Sequence, residues 1–188
     1  MQHSRVGRGL FPGVNAMSYE IDASEWLNTE APLSLRALRG RVVIVTVFQM
    51  LCPGCVRNSL PQAKGLDALF PREDLAVIGL HSVFEHHHVM TPAALRAFAS
   101  EYRLGFPIAI DRPLEPGVMP ATMKQWGLGG TPTLLVFDRQ GELALRHLGH
   151  LDDLRLGAFV GQLIAQRRLR EAGLEPADQA DGGPVCTP

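Results

Sequence analysis

Two cysteines separated by two residues, Cys52 and Cys55, are the side chains of this sequence best suited to chemistry. They enclose Pro53 and Gly54 and follow the apolar run Val42–Phe48. Thiol–disulfide exchange needs an attacking thiolate and a second sulfur close enough to resolve the mixed disulfide. Two intervening residues on a first helical turn supply that closeness, so the spacing predicts a redox pair.

The neighbouring elements are predicted to place Cys52 at the start of a helix. The run VVIVTVF is β-branched and apolar, which is typical of a central strand buried on both faces. Proline is favoured at the first helical position, so Pro53 predicts a helix from Cys52 to about Leu69. The unsatisfied N–H groups and positive dipole of that helix end favour a thiolate at Cys52. Cys55 lies one turn further in and is expected to be the less exposed partner.

The rest of the chain alternates between strand and helix patterns. Buried strands are predicted at 75–80 and 106–110, and a helix is predicted after the cap Thr91. A helical turn at 121–126, a hairpin formed by 133–137 and 142–147, and a last helix from about 152 complete the pattern. This order predicts an α/β fold in which a parallel core carries an added antiparallel hairpin and is flanked by helices.

Composition indicates one globular domain. The chain has 188 residues and a formal net charge of −1, so no basic field attracts nucleic acid or an anionic membrane. It lacks an apolar run of about 18 residues, which a membrane-spanning helix needs. Residues 1–17 are expected to be a flexible lead-in, 18–170 the domain, and 171–188 a flexible tail. The lead-in has no apolar signal core, which predicts a cytoplasmic protein.

A second motif, Gly130-Thr131-Pro132-Thr133, precedes the first strand of the predicted hairpin. Within sheets, proline is confined to edges, bulges or the first residue of a strand, and Pro132 fits the last of these. A cis peptide bond is possible there but rare on base rates. An ordinary turn before a strand is the simpler interpretation of these residues taken alone.

Together the two motifs resemble the thioredoxin superfamily. The matching stretches are VVIVTVFQMLCPGC and GTPTLLVFDRQGEL, while FPIAIDRP and LSLRALRGRVV are similar to its redoxin and TlpA-type branch. The stretch HSVFEHH resembles a loop of DipZ-type thioredoxin-like domains. The resemblance covers about residues 31–164 and implies a three-layer thioredoxin-like fold with a central mixed sheet.

The resemblance also implies roles for individual residues. Cys52 is then the nucleophile, Cys55 the resolving thiol, and Pro132 a cis-proline packed against the disulfide. Glu85 is the nearest match to a glutamate that lies near the cysteines in cytochrome-maturation relatives. The expected substrate-binding residues lie between the cysteines, at the proline loop and in its groove: Pro53, Gly54, Thr131 and Trp126.

The function expected is dithiol–disulfide exchange with protein or small disulfide substrates and an unidentified electron donor, without a cofactor. A peroxiredoxin-like thiol peroxidase is the alternative in the same class. It is disfavoured because peroxiredoxins carry a threonine where Gln49 stands, three residues before Cys52.

Histidines open a different class of function. His81, His86, His87 and His88 could join the cysteines in a metal-binding module, although consecutive histidines cannot all face one point. Proton handling is the preferred role for this segment, since His81 or Glu85 would titrate near neutrality if partly buried. A solvated loop without any catalytic part, and a redox-inert interaction domain, remain open interpretations.

Overall fold

A computed structural model describes residues 19–115 and 118–171, with side chains described as far as residue 166. Within these residues one mixed sheet has six strands in the order β1-β4-β3-β2-β5-β6. The strands are β1 (Ala23–Leu27), β2 (Val42–Phe48), β3 (Leu75–His81), β4 (Ile108–Asp111), β5 (Thr133–Phe137) and β6 (Leu143–Leu148). The predicted lead-in at 1–17 and nearly all of the predicted tail at 171–188 lie outside the described residues.

The central strand, β2, is buried along its whole length. It pairs in parallel with β3 and antiparallel with β5, while β3 pairs in parallel with β4. β5 and β6 form an antiparallel hairpin. The predicted parallel core with an added hairpin is therefore confirmed, and β2 lies in the middle of the sheet.

Helices cover both faces of the sheet. They are α1 (Leu60–Leu69), α2 (Pro92–Glu101), α3 (Ala121–Gln125) and α4 (Asp153–Glu171), with a 3₁₀ turn at Arg36–Leu38 and a π-helical turn at Cys55–Ser59. Alternate residues of β2 enter two cores: one includes buried residues of α1, α2 and α4, and the other includes those of α3 and the 3₁₀ turn. This is the three-layer α/β arrangement predicted. Among the described residues, no helix has the length and apolar character needed to cross a membrane.

Short sequence patterns predicted most of the helix and strand boundaries correctly. Thr91 caps α2, and its Oγ1 accepts a hydrogen bond from the Ala94 N–H at 3.2 Å. β4 begins at Ile108 rather than Phe106, because Pro107 has no N–H to donate to the sheet. β1 was not predicted. It is a short edge strand, paired only with β4 through an irregular register, and its sequence ASEWL lacks a strand-like alternation.

Candidate active site

The cysteine pair follows the C-terminal end of β2. After Phe48 the chain turns tightly, and the Cys52 N–H donates a hydrogen bond to the Gln49 carbonyl at 3.2 Å. The Val56 N–H then donates to the Cys52 carbonyl at 3.1 Å, so Cys52 stands at the start of the helical segment as predicted. Because β2 is central, this turn lies in the middle of the sheet's carboxyl edge.

The two sulfurs lie in different environments. Cys52 is half-buried, whereas Cys55 is fully buried in the core beneath the helix start. Both cysteines are free thiols, and the Cys55 N–H donates a hydrogen bond to Cys52 Sγ at 3.2 Å. Burial, followed by the hydrogen bond with Cys52, raises the pKa of the Cys55 thiol to about 12. Cys55 therefore stays protonated at neutral pH, and Cys52 is the sulfur that a substrate can reach.

The helix that carries Cys55 begins with a π-helical turn, Cys55–Ser59. The Leu60 N–H donates to the Cys55 carbonyl, five residues back instead of four. Pro61 follows directly; it has no N–H, and its ring would clash with the carbonyl four residues earlier in a regular α-helix. The wider turn relieves that clash, so Pro61 accounts for the local geometry behind the cysteines.

The proline loop lies against the cysteine turn. The Thr131–Pro132 peptide bond is cis, as the resemblance implies. Cys52 Sγ donates a hydrogen bond to the Thr131 carbonyl at 3.6 Å. A β-carbon on Gly54 would lie 3.2 Å from Cδ of Pro132, closer than ordinary van der Waals contact. Glycine at position 54 therefore allows the two loops to touch.

An open groove of about 360 Å³ runs beside Cys52. Its lining includes Pro53 and Thr131, both predicted to bind substrate, and Glu85. The Glu85 side chain is exposed, so it stands at the solvent side of the groove rather than beneath the cysteines. Cys52, Thr131 and Glu85 thus line the same groove.

Trp126 requires a correction. It was expected to line the groove near Pro132, but it is only 5% exposed and lies in the core on the α3 face of the sheet. Its ring packs edge-on against Tyr19 and Phe137, with centroids 5.3 and 6.4 Å away. The short Gly-rich loop before Pro132 places Trp126 close in sequence, but α3 turns its large apolar ring toward the sheet.

The histidine expectation also requires a correction. His81, at the end of β3, is 1% exposed and lies beside Phe48 with ring centroids 5.2 Å apart. Burial lowers its pKa to about 4, so it is neutral at pH 7 rather than titrating near neutrality. His86, His87 and His88 are exposed. Across residues 19–115 and 118–171, no three His, Cys, Asp or Glu side chains are grouped closely enough to hold a metal.

One buried network near the site was missed. Asp111, 3% exposed at the end of β4, accepts hydrogen bonds from the Ser82 hydroxyl at 2.8 Å and from the Thr122 and Met123 N–H groups at 2.7 and 3.0 Å. Burial raises its pKa, and these hydrogen bonds oppose that shift. Ser82 begins the loop that carries Glu85, and α3 leads to the proline loop. Asp111 therefore links the start of the loop that carries Glu85 to the first turn of α3.

The sequence contained only a partial signal for this network. An aspartate at a strand end can cap a following helix, but the ten residues between Asp111 and Thr122 obscure that relation. The side chain of Gln49 was also missed as a contact: its Oε1 accepts a hydrogen bond from the Phe84 N–H at 3.4 Å. Both contacts depend on segments that are distant in sequence.

The chain is similar in sequence and structure to known proteins. The family model described as Redoxin matches residues 20–155. A thiol-disulfide isomerase from Corynebacterium glutamicum is 48% identical in sequence, and the alignment covers 78% of this chain and 94% of that protein with a TM-score of 0.74. The structure of a thioredoxin-like superfamily protein is 46% identical, with 77% and 94% coverage and a TM-score of 0.74.

Similarity to a curated protein is more local. Protein DipZ of Mycobacterium bovis is 33% identical over 88 residues, which are 46% of this chain. The chain spans only 12% of the length of DipZ.

Proposed function

Because the chain belongs to the redoxin family of thioredoxin-like proteins, we propose that it is a thiol–disulfide oxidoreductase and that Cys52 and Cys55 form its redox couple. The observation that carries this proposal is the 3.2 Å hydrogen bond from the Cys55 N–H to the half-buried Cys52 sulfur. A main-chain donor aimed at a sulfur stabilises negative charge there, and the second thiol is one helical turn away.

In the first step, the Cys52 thiolate attacks one sulfur of a substrate disulfide. A Cys52–substrate disulfide forms, the substrate S–S bond breaks, and the departing substrate thiolate takes up a proton. Cys55 stays out of this step because its thiol is buried and its pKa is raised to about 12. The exposed Leu51 beside Cys52 offers an apolar contact for a protein substrate.

In the second step, Cys55 loses its proton and attacks Cys52 Sγ. The Cys52–Cys55 disulfide forms, the mixed disulfide breaks, and the second substrate sulfur leaves as a thiol. The substrate thereby gains two electrons and two protons from the dithiol, and an external electron donor restores the dithiol. Reversal of the same steps would oxidise a substrate dithiol. Glu85 is proposed to accept the Cys55 proton, through water in the groove that it lines with Cys52.

The chain has a third cysteine, Cys186, so the Cys186→Ser variant isolates the Cys52–Cys55 pair. Intact-mass spectrometry of this variant tests the redox couple. Oxidation with a disulfide reagent should remove two hydrogen atoms, and reductant should restore them. Further substitution of Cys55 by Ser should instead leave a stable adduct of Cys52 with a protein disulfide such as insulin. An unchanged mass after oxidation, or an adduct on a cysteine other than Cys52, would contradict the assignment. Cytoplasmic location remains a prediction, which cell fractionation tests.

A further inference from the structure

Gln49 is a polar side chain buried beside the nucleophile. It lies between the end of β2 and Cys52 and is 4% exposed. Its main-chain carbonyl accepts a hydrogen bond from the Cys52 N–H at 3.2 Å. Burying a primary amide is unfavourable unless its donors and acceptor find partners. An apolar side chain would fill this site at less cost, so the amide calls for an explanation beyond packing.

Among the described residues, one hydrogen bond to the Gln49 side chain fixes the orientation of its amide. The Phe84 N–H can only donate, so the atom that receives it at 3.4 Å is Oε1. Nε2 is then the other end of the amide. It has no hydrogen-bond partner within the described part of the chain but keeps contact with solvent. Because Gln49 lines the groove that holds Cys52, this contact is with the groove.

Two walls of the groove therefore carry different hydrogen-bonding groups. Thr131, whose carbonyl lies 3.6 Å from Cys52 Sγ, contributes main-chain groups from the proline loop. Gln49 contributes a neutral Nε2 group, which can donate hydrogen bonds but cannot accept them. A peptide segment bound across Cys52 presents main-chain carbonyl oxygens, which need donors when they leave water.

We propose that Gln49 Nε2 donates a hydrogen bond to a main-chain carbonyl of a peptide disulfide bound at Cys52. The inference rests on the proposed function and names its substrate class: disulfides within peptide chains, in preference to small disulfides without amide groups. Gln49 is then a specificity-determining residue, and the Phe84 N–H holds its amide in the orientation that binding requires.

Two variants separate the donor from the rest of the side chain. Gln49→Met keeps the length and removes both polar ends, whereas Gln49→Glu keeps an acceptor for the Phe84 N–H and removes the donor. kcat and KM are measured for a cyclic peptide disulfide and for hydroxyethyl disulfide. Both variants should lose about 2- to 10-fold in kcat/KM on the peptide, the usual effect of one neutral hydrogen bond, and little on the small disulfide. Gln140→Met, on an exposed turn, is the matched control.

Equal losses on both substrates in Gln49→Met, or no loss on the peptide in either variant, would overturn the inference and leave Gln49 a purely structural residue. A pH–rate profile for Gln49→Glu identifies any loss caused by its added charge, which would affect both substrates alike. If the wild-type protein exchanges neither disulfide, the proposed function itself fails and the inference is overturned with it.

Discussion

The Cys55 N–H donates a hydrogen bond to the sulfur of Cys52 across 3.2 Å, although the two side chains differ in exposure. One main-chain group thus stabilises charge on the accessible sulfur, while the helix buries the other sulfur in the core. In the proposed mechanism, Cys52 therefore attacks the substrate disulfide and Cys55 resolves the mixed disulfide. This relationship also predicts how each cysteine responds to chemical modification.

Limited alkylation should modify Cys52 first. In a Cys186→Ser background, substoichiometric iodoacetamide at pH 7 is expected to label Cys52 at least about tenfold faster than Cys55. The reason is that the Cys55 thiol is buried and its pKa is raised to about 12, so almost none of it is thiolate. Peptide mass mapping of the labelled sites measures the ratio. Faster labelling of Cys55 would reverse the assigned roles.

Replacing Glu85 should slow the second step of exchange. In Glu85→Gln the groove beside Cys52 loses the carboxylate that is proposed to accept the Cys55 proton. Resolution of a preformed Cys52 mixed disulfide is expected to slow by about tenfold or more at pH 7, and the deficit should shrink as pH rises. Rapid-quench alkylation follows the mixed disulfide. Glu142→Gln, on an exposed turn, is the control, and an equal effect in both variants would exclude this role.

A side chain at position 54 should disturb the active-site turn. The β-carbon of Gly54→Ala would lie 3.2 Å from Cδ of Pro132, and both loops are held by the fold. We expect a loss of about 1–3 kcal/mol in unfolding free energy, together with slower insulin reduction. Gly65→Ala is the matched control, because a β-carbon there meets no atom within 4 Å and alanine favours a helix. Denaturant unfolding compares the two variants, which should change stability in opposite directions.

Acid should destabilise the fold through His81. Burial lowers its folded-state pKa from 6.5 to about 4, so the unfolded chain binds this proton more readily than the native protein does. The stabilisation is fully present above the unfolded pKa and is lost as pH falls through the folded pKa, by on the order of 3 kcal/mol. His81→Phe, next to Phe48, should lose less stability than wild type between pH 7 and pH 4. Urea unfolding at both pH values checks this, and identical acid losses would refute it.

The protein should be a poor peroxidase. Peroxiredoxins carry a threonine hydroxyl where Gln49 stands, and Cys55 lies one turn from Cys52, an arrangement that favours closure of the internal disulfide over repeated attack on peroxide. Peroxide consumption with a thioredoxin-coupled donor is therefore expected to be slow. Wild type is expected to reduce insulin disulfides, and the Cys52→Ser and Cys55→Ser variants are expected to lose most of that activity. Efficient peroxide turnover that needs Cys52 but survives loss of Cys55 would favour the peroxidase alternative.

Some of the fold was predictable because its signals are local. The run Val42–Phe48 predicts a central strand, Pro53 predicts a helix start, and Thr91 predicts a cap, and each signal acts within a few residues. The π-helical turn was not predicted, although its cause, Pro61, is plain in the sequence. The edge strand β1 was missed because its pairing with β4, more than eighty residues away, decides it.

Sequence alone determined the α/β order, the cysteine spacing and the candidate residues Cys52, Cys55 and Pro132. Only the tertiary structure decided burial, and burial sets the chemistry of each group. It raises the pKa of the Cys55 thiol and keeps His81 neutral at pH 7. Trp126 is buried in the core and therefore does not line the groove. The tertiary structure also decided the partners of Asp111 and of the Gln49 side chain, since these contacts join segments far apart in sequence. Desolvation and long-range hydrogen bonds depend on how the sheet and its loops pack together, which no local pattern of residue types encodes.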